Sequence, residues 1–443
     1  MPIQLSDHFT YSRLFRFTLP SIAMMLVTSV YSVVDGLFVS NVVGDAALAA
    51  VNVVYPLPMI LGAFGFMLGT GGSAEVARVM GAGHPKKARQ YFTTLILAIL
   101  IGGALLSGAC VAFIRPLCGV LGADGALMDR CVTYGVIMCA GAPAFMLQTS
   151  FQSFCVVAER PKLGLLLSIA SGLTNMALDY LFIAVLGWGI AGAAWATVCG
   201  YLVGGLLPFL YFLLPNKSPL RLVRTRVWPK MLLKSCGNGS SELIGNLSAS
   251  VVTILFNRTL MELSGQQGVA AYTVMMYVQF TFSAVFIGFC SGSAPIFSYQ
   301  FGAGNHSELR SLLKKCLAAV SVASVVMTLS ANVLARPLAA IFVGYDDALL
   351  ALTVSGFRVF SLCFLFWGYN FFVSALFTAL GDGPVSAVVS FLRLFVFQVG
   401  AVLTLPRLFG LPAVWWSVVV PEVLALAVSA YFLWTRREKY HYL

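Results

Sequence analysis

Long apolar runs, separated by short polar and charged turns, recur twelve times along the chain. They lie near 14–41, 48–74, 91–114, 131–156, 163–186, 190–214, 234–260, 269–298, 312–334, 351–377, 384–406 and 412–434. Each is about 20 residues or longer, enough for a helix rising about 1.5 Å per residue to cross a hydrocarbon core of about 30 Å. The pattern predicts an all-α, polytopic membrane protein of twelve transmembrane helices, numbered spans 1 to 12.

Composition agrees with a bilayer as the solvent. Of the 443 residues 59% are apolar and 10% charged, whereas soluble domains carry about 25% charge. An aqueous fold of this size could not hide so much apolar surface. The first run follows Arg13 and Arg16, is too long for a signal-peptide core and lacks a small-residue cleavage site, so it is expected to remain as span 1. The ten cysteines include no C-x-x-C pair and mostly sit inside apolar runs, where they read as small hydrophobes rather than as a disulfide framework or zinc site.

The net charge of +11 is distributed by side of the membrane. With the N-terminus inside, the inner segments hold 20 of the 27 basic residues and the outer segments five. Arg358 and Arg393 fall within spans. This bias places both termini in the cytoplasm of a multi-pass protein of the inner cell membrane. Basic loops of this kind set topology and meet anionic lipid, so no nucleic-acid partner is expected.

An offset of 221 residues, the distance from Gly81 to Gly302, organises the whole chain. It carries Gly71, Gly83 and Arg89 onto Gly292, Gly304 and Arg310, Arg115-Pro116-Leu117 onto Arg336-Pro337-Leu338, and Gly189 and Trp195 onto Gly410 and Trp416. Each half holds six spans, an even number, so the two halves run the same way through the membrane. The expected organisation is a six-helix lobe at 1–214, a basic linker at 215–233 and a second six-helix lobe at 234–443, packed in parallel around a central seam. Rocking the lobes would open that seam to either side in turn, as in a transporter.

Ionisable residues inside spans are costly and usually functional. Asp35 lies in span 1, one turn after Tyr31. Asn175 and Asp179 share a face of span 5, and Thr197 lies in span 6. Asp35, Asp179 and Thr197 each stand roughly 10 Å from the outer surface, counted at about 1.5 Å per residue. Tyr134 and Gln152 share a face of span 4, 18 residues apart. The 221-residue offset maps Asp35, Asn175, Asp179 and Thr197 onto Phe256, Val396, Gly400 and Val418, so the polar cluster belongs to the first half alone. Groups needed only to build the scaffold should recur in both halves. Two carboxylates at one depth would share a proton or a bound sodium ion, and the residues permit either.

In the second half, Arg393 in span 11 and Glu422 in span 12 come to the same depth and read as a structural ion pair. Glu242, early in span 7, is either a cavity acid or the partner of a basic loop residue. Glu75 and Arg78 read as a local pair. Pro20 removes a backbone hydrogen bond from span 1 and marks a kink or hinge. The four histidines lie outside the spans, and no P-loop, G-x-S-x-G or H-E-x-x-H motif is present, so neither an enzyme nor a resident cofactor is expected.

Twelve spans in two parallel halves, the run VDGLFVSNVVGDAALAAVNVVYP and the GAG turns after spans 2 and 8 resemble the multidrug and toxic compound extrusion (MATE) family. The N-x-x-x-D of span 5, with an acid in span 1 and a threonine in span 6, is similar to its DinF-type branch. The resemblance implies a cation site of the first lobe at Asp35, Asn175, Asp179 and Thr197. It further implies cavity-lining roles for Tyr31 and Tyr134, and bending of span 1 at Pro20. Gln152 stands where the branch often has asparagine, and Glu242 is not spaced like the second-lobe acids of the NorM-type branch. The implied activity is export of organic cations in exchange for protons or sodium, by a chain expected to work as a monomer. The alternative is a flippase for lipid-linked precursors, whose cavity should hold several basic residues.

Overall fold

The computed structural model describes residues 3–38, 45–344 and 346–442, and the side chains of these except at 32–38, 45–49 and 126. Among the described residues the spans are helices at Tyr11–Phe38, Pro56–Gly81, Pro85–Ala112, Gly125–Val157, Pro161–Asp179 and Gly189–Leu213 for the first half. The second half begins with one helical run, Pro229–Gly302. At about 1.5 Å per residue it would be far longer than a bilayer is thick. It breaks at Gly265, whose φ of 60° and ψ of −149° suit only glycine. The two pieces, 229–264 and 266–302, are spans 7 and 8. Spans 9 to 12 are His306–Val333, Asp347–Ala379, Gly383–Phe409 and Leu411–Thr435.

Two features depart from the apolar-run reading. The run at 48–74 divides into a short helix, Asp45–Val54, and a membrane helix that starts at Pro56. Proline lacks the N–H to continue a helix but suits its first turn. Short helices Ile114–Val120 and Ala335–Val343 also cap spans 3 and 9. These hold the two Arg-Pro-Leu triplets.

The sequence repeat is a repeat of structure. Helices Pro85–Ala112 and His306–Val333 begin and end at positions 221 apart. Gly83 and Gly304 both take left-handed φ, 79° and 69°, to turn the chain after spans 2 and 8. Gly189 and Gly410 do the same before spans 6 and 12, at 58° and 73°.

The lobes meet on the face that carries both chain ends, through glycines that let backbones touch. A Cβ at Gly81 would overlap the Tyr299 carbonyl, and one at Gly302 would overlap the Arg78 carbonyl. These two contacts are exchanged by the repeat. Gly71 of span 2 likewise meets Gly239 of span 7, while their counterparts Gly292 and Thr18 meet between spans 8 and 1. Asn238 seals the junction, donating to the carbonyls of Gly71 at 3.3 Å and Thr378 at 2.8 Å. Glu75 pairs with Arg78 at 2.8 Å and, across the seam, with Lys234 at 3.0 Å.

The segment before span 1 ties this face together. Leu5 and Phe9 are fully buried against residues of the second half, including Phe297 and Leu313. The Leu5 N–H donates to Glu159 of the first lobe at 2.9 Å, while Gln300 of the second donates to the Leu5 carbonyl at 2.8 Å. Glu308 accepts the Phe9 N–H at 2.9 Å and binds His8 Nδ1 at 2.6 Å. Lys315 bonds the Phe9 carbonyl. Burial pushes the Glu159 carboxyl above its ordinary range, against the lowering effect of the Leu5 N–H.

Gly302→Ala is expected to lower unfolding free energy in detergent by about 1–3 kcal/mol, the cost of forcing apart a packed contact. Gly108→Ala, where a Cβ meets nothing within 4 Å, should be neutral or stabilising. Paired thermal melts check the difference.

Candidate functional site

Spans 5 and 6 lie close enough for their backbones to touch, because span 6 presents glycine. A Cβ at Gly200 would sit 3.1 Å from Asn175 Cβ and from the Ser171 carbonyl. Along this line runs a buried polar ladder. Gln148 of span 4 donates to Ser171 Oγ at 3.2 Å, and Ser171 donates to the Gly200 carbonyl at 2.7 Å. One turn further along span 5, Asn175 donates to Thr197 Oγ1 at 3.5 Å, and Thr197 donates to the Ala193 carbonyl at 3.0 Å. Asp179 follows one turn on, 1% exposed. Asn175 Oδ1 is buried and accepts no hydrogen bond among the described residues. A carbonyl oxygen in that state, one turn from a buried carboxylate, is a ready ligand for a small cation.

Immediately after Asp179 the helix widens into a π turn, Tyr180–Val185. Such turns shift the faces of a helix and recur at functional sites. Tyr31 reaches this cluster from span 1: a Cβ at Gly172, one turn before Asn175, would lie 3.1 Å from the Tyr31 ring. Asp35 stands one turn beyond Tyr31 on the same helix, and its side chain lies outside the described residues. Tyr134 is buried in the core of the first half at 6% exposure.

Gln152 borders a small pocket that it shares with Gln148 and also a central cavity between the lobes. Its wall includes Met24, Met25, Phe66, Thr70, Glu242 and Phe371. The cavity holds about 160 Å³. Sites for drug-sized ligands hold about 300–1,000 Å³, so a bulky guest requires the lobes to part. Glu242 makes no ion pair within 4.0 Å among the described residues, and the nearby Lys234 is engaged by Glu75 instead. Of the two roles open to Glu242, the geometry gives it the cavity wall. Pro20 is buried within span 1, between Thr18 and Ile22, which contact Gly292 and Gly288 of span 8.

Arg393 and Glu422 form a buried ion pair, Nε to Oε1 at 2.8 Å and to Oε2 at 3.0 Å. Asn370 donates to Glu422 Oε2 at 2.8 Å and accepts from Ser429 at 2.9 Å. Trp367 lies under the guanidinium at 5.1 Å. Arg393 sits in a second π turn, Leu392–Phe397, on the span equivalent to span 5.

Gln148 and Ser171 were not singled out from sequence. Their signal was there: each precedes a singled-out residue, Gln152 or Asn175, by one helical turn.

Two similar lobes, a central cavity and a buried polar cluster confined to one lobe define a multi-pass membrane transporter. The MatE family model matches residues 20–181 and 243–403, one copy per half. The chain belongs to that family, and is a transporter rather than an enzyme. Relatives include the multidrug export protein MepA of Staphylococcus haemolyticus, 21% identical over 97% of this chain and 94% of its own. MepA of Staphylococcus aureus is 22% identical over the same shares. A crystal structure of MATE in complex with MaL6 superposes with a TM-score of 0.91 at 22% identity, covering 97% of each chain. An outward-facing multidrug resistance MATE transporter of the MOP superfamily gives 0.90 at 22%, covering 97% of this chain and 96% of that one. At these identities the solved structures establish the fold.

Glu422→Ala strands a buried guanidinium and is expected to cost about 3–5 kcal/mol, whereas Arg393→Met combined with Glu422→Leu should recover most of it. Unfolding midpoints of the single and double variants check this.

Proposed function

We propose that the protein is a secondary antiporter of the inner cell membrane that exports organic cations in exchange for protons or sodium. Both termini face the cytoplasm in this reading. The observation that carries it is the one-sided polar cluster. Asn175, Asp179 and Thr197 are gathered on touching helices in the first lobe, while Val396, Gly400 and Val418 hold the equivalent places in the second. The buried charges of the second lobe, Arg393 and Glu422, close on each other as an ion pair, whereas the first-lobe cluster leaves Asn175 Oδ1 without a hydrogen bond among the described residues.

The substrate enters the central cavity, where Met24, Met25, Phe66 and Phe371 offer apolar and cation–π contact and Glu242 offers charge. Asp35 and Asp179 take up the coupling ion, with Asn175 and Thr197 as neutral ligands if that ion is sodium. Loading neutralises the pair and bends span 1 at Pro20. Span 1 passes between the cluster, through Tyr31, and the lobe seam, through Thr18 and Ile22. One helix thus connects ion uptake to the contact between lobes.

Asp179→Asn and Asp35→Asn are each expected to insert and fold but to lose at least tenfold in gradient-driven efflux of ethidium from proteoliposomes. A proton gradient and a sodium gradient imposed separately identify the coupling ion. Undiminished efflux in both variants would overturn the mechanism. The related names, both multidrug exporters, support the substrate class.

A further inference from the structure

Two side chains of the acidic or basic type line the central cavity among the described residues, Glu242 from span 7 and Arg393 from span 11. Their helices touch beside them: a Cβ at Gly245, one turn after Glu242, would lie 3.7 Å from Leu394. Opposite charges on touching helices in a low dielectric attract strongly. Yet Arg393 spends its Nε on Glu422, behind the wall, and Glu242 stays without an ion pair among the described residues.

The guanidinium is only partly used. Arg393 is 5% exposed, and its Nη2 is buried with no hydrogen-bond partner among the described residues. Glu422 on one edge and Trp367 on one face hold the group in place. Hydroxyls line the same stretch of wall. Ser390 precedes Arg393 on span 11 and bonds Ser374 at 3.0 Å, and both border the cavity. An oriented guanidinium edge with adjacent hydroxyls is the donor set that recognises a carboxylate.

We infer that the cavity is bipolar and prefers zwitterionic amphiphiles. Glu242 takes the cationic nitrogen. The unused edge of Arg393, with Ser374 and Ser390, takes a carboxylate of the same molecule. A purely cationic guest meets the first group and leaves the second unpaired. The inference relies on the export reading for the direction of movement; the binding preference stands apart from it.

The test compares tetramethylrhodamine as free acid, a zwitterion, with its methyl ester, a cation of nearly the same shape. Fluorescence titration uses the purified full chain in nanodiscs. The acid is expected to bind roughly tenfold more tightly, as one added charge-assisted hydrogen bond provides. Arg393→Lys keeps a positive partner for Glu422 but loses the fork, and should bring the acid towards the ester. Arg393→Met combined with Glu422→Gln should do the same without a buried charge. Glu242→Gln should weaken both dyes alike. Equal affinities in the unaltered protein, or an acid preference that survives both Arg393 changes, would make Arg393 a strut and overturn the proposal. Preferential binding of the acid without gradient-driven movement of either dye would instead remove the export reading and leave the bipolar site standing.

Discussion

Backbone contact between the lobes is the constraint on which the molecule rests. In a bilayer no hydrophobic force drives helices together, because lipid tails are as apolar as leucine. Close van der Waals fit must do it, and that requires small residues where helices cross. Gly81 against Tyr299 and Gly302 against Arg78 meet this need twice, by the same geometry read from either side. The contact is therefore reciprocal under the 221-residue repeat. It also sits directly beside the cavity, since Ala74 and Ser298, on the same two helices, line the wall.

The two halves share a frame and differ in their chemistry. Spans 5 and 11 are equivalent, and each breaks regular helix with a π turn. The first places the turn directly after Asp179, next to neutral oxygens. The second places Arg393 inside it, committed to Glu422. One lobe therefore keeps the buried Asp179 one turn from Asn175, whose Oδ1 accepts no hydrogen bond among the described residues, and the other locks its charges to each other on one side only. The scaffold is shared, and equivalent helices carry different side chains.

Much of this was legible in the sequence because the bilayer enforces it. Span lengths follow from membrane thickness, and the repeat follows from one offset joining several glycines. Spans 7 and 8 were separable at the polar stretch around Gly265 even though the chain runs through as near-continuous helix. The GAG turns were visible, but only one of their two purposes was. Gly83 and Gly304 turn the chain, whereas Gly81 and Gly302 let the lobes touch, and that depends on a partner far away in sequence. The π turns left no mark, since Tyr180–Val185 reads as ordinary apolar helix. Ser171 and Gln148 were hidden for a related reason: serine and glutamine occur throughout the spans, and it is their contact with Gly200 and Gly204 of span 6 that shows these two face inwards.

The segment of chain ahead of span 1 was the least legible part, being short, with its buried Leu5 and Phe9 set among polar residues. Its bonds reach Glu159 on one lobe and Gln300, Glu308 and Lys315 on the other. It works as a stitch between the two lobes on this face of the protein. Parting the lobes on this face would require one row of that stitching to break, so the segment before span 1 adds to the cost of separating them.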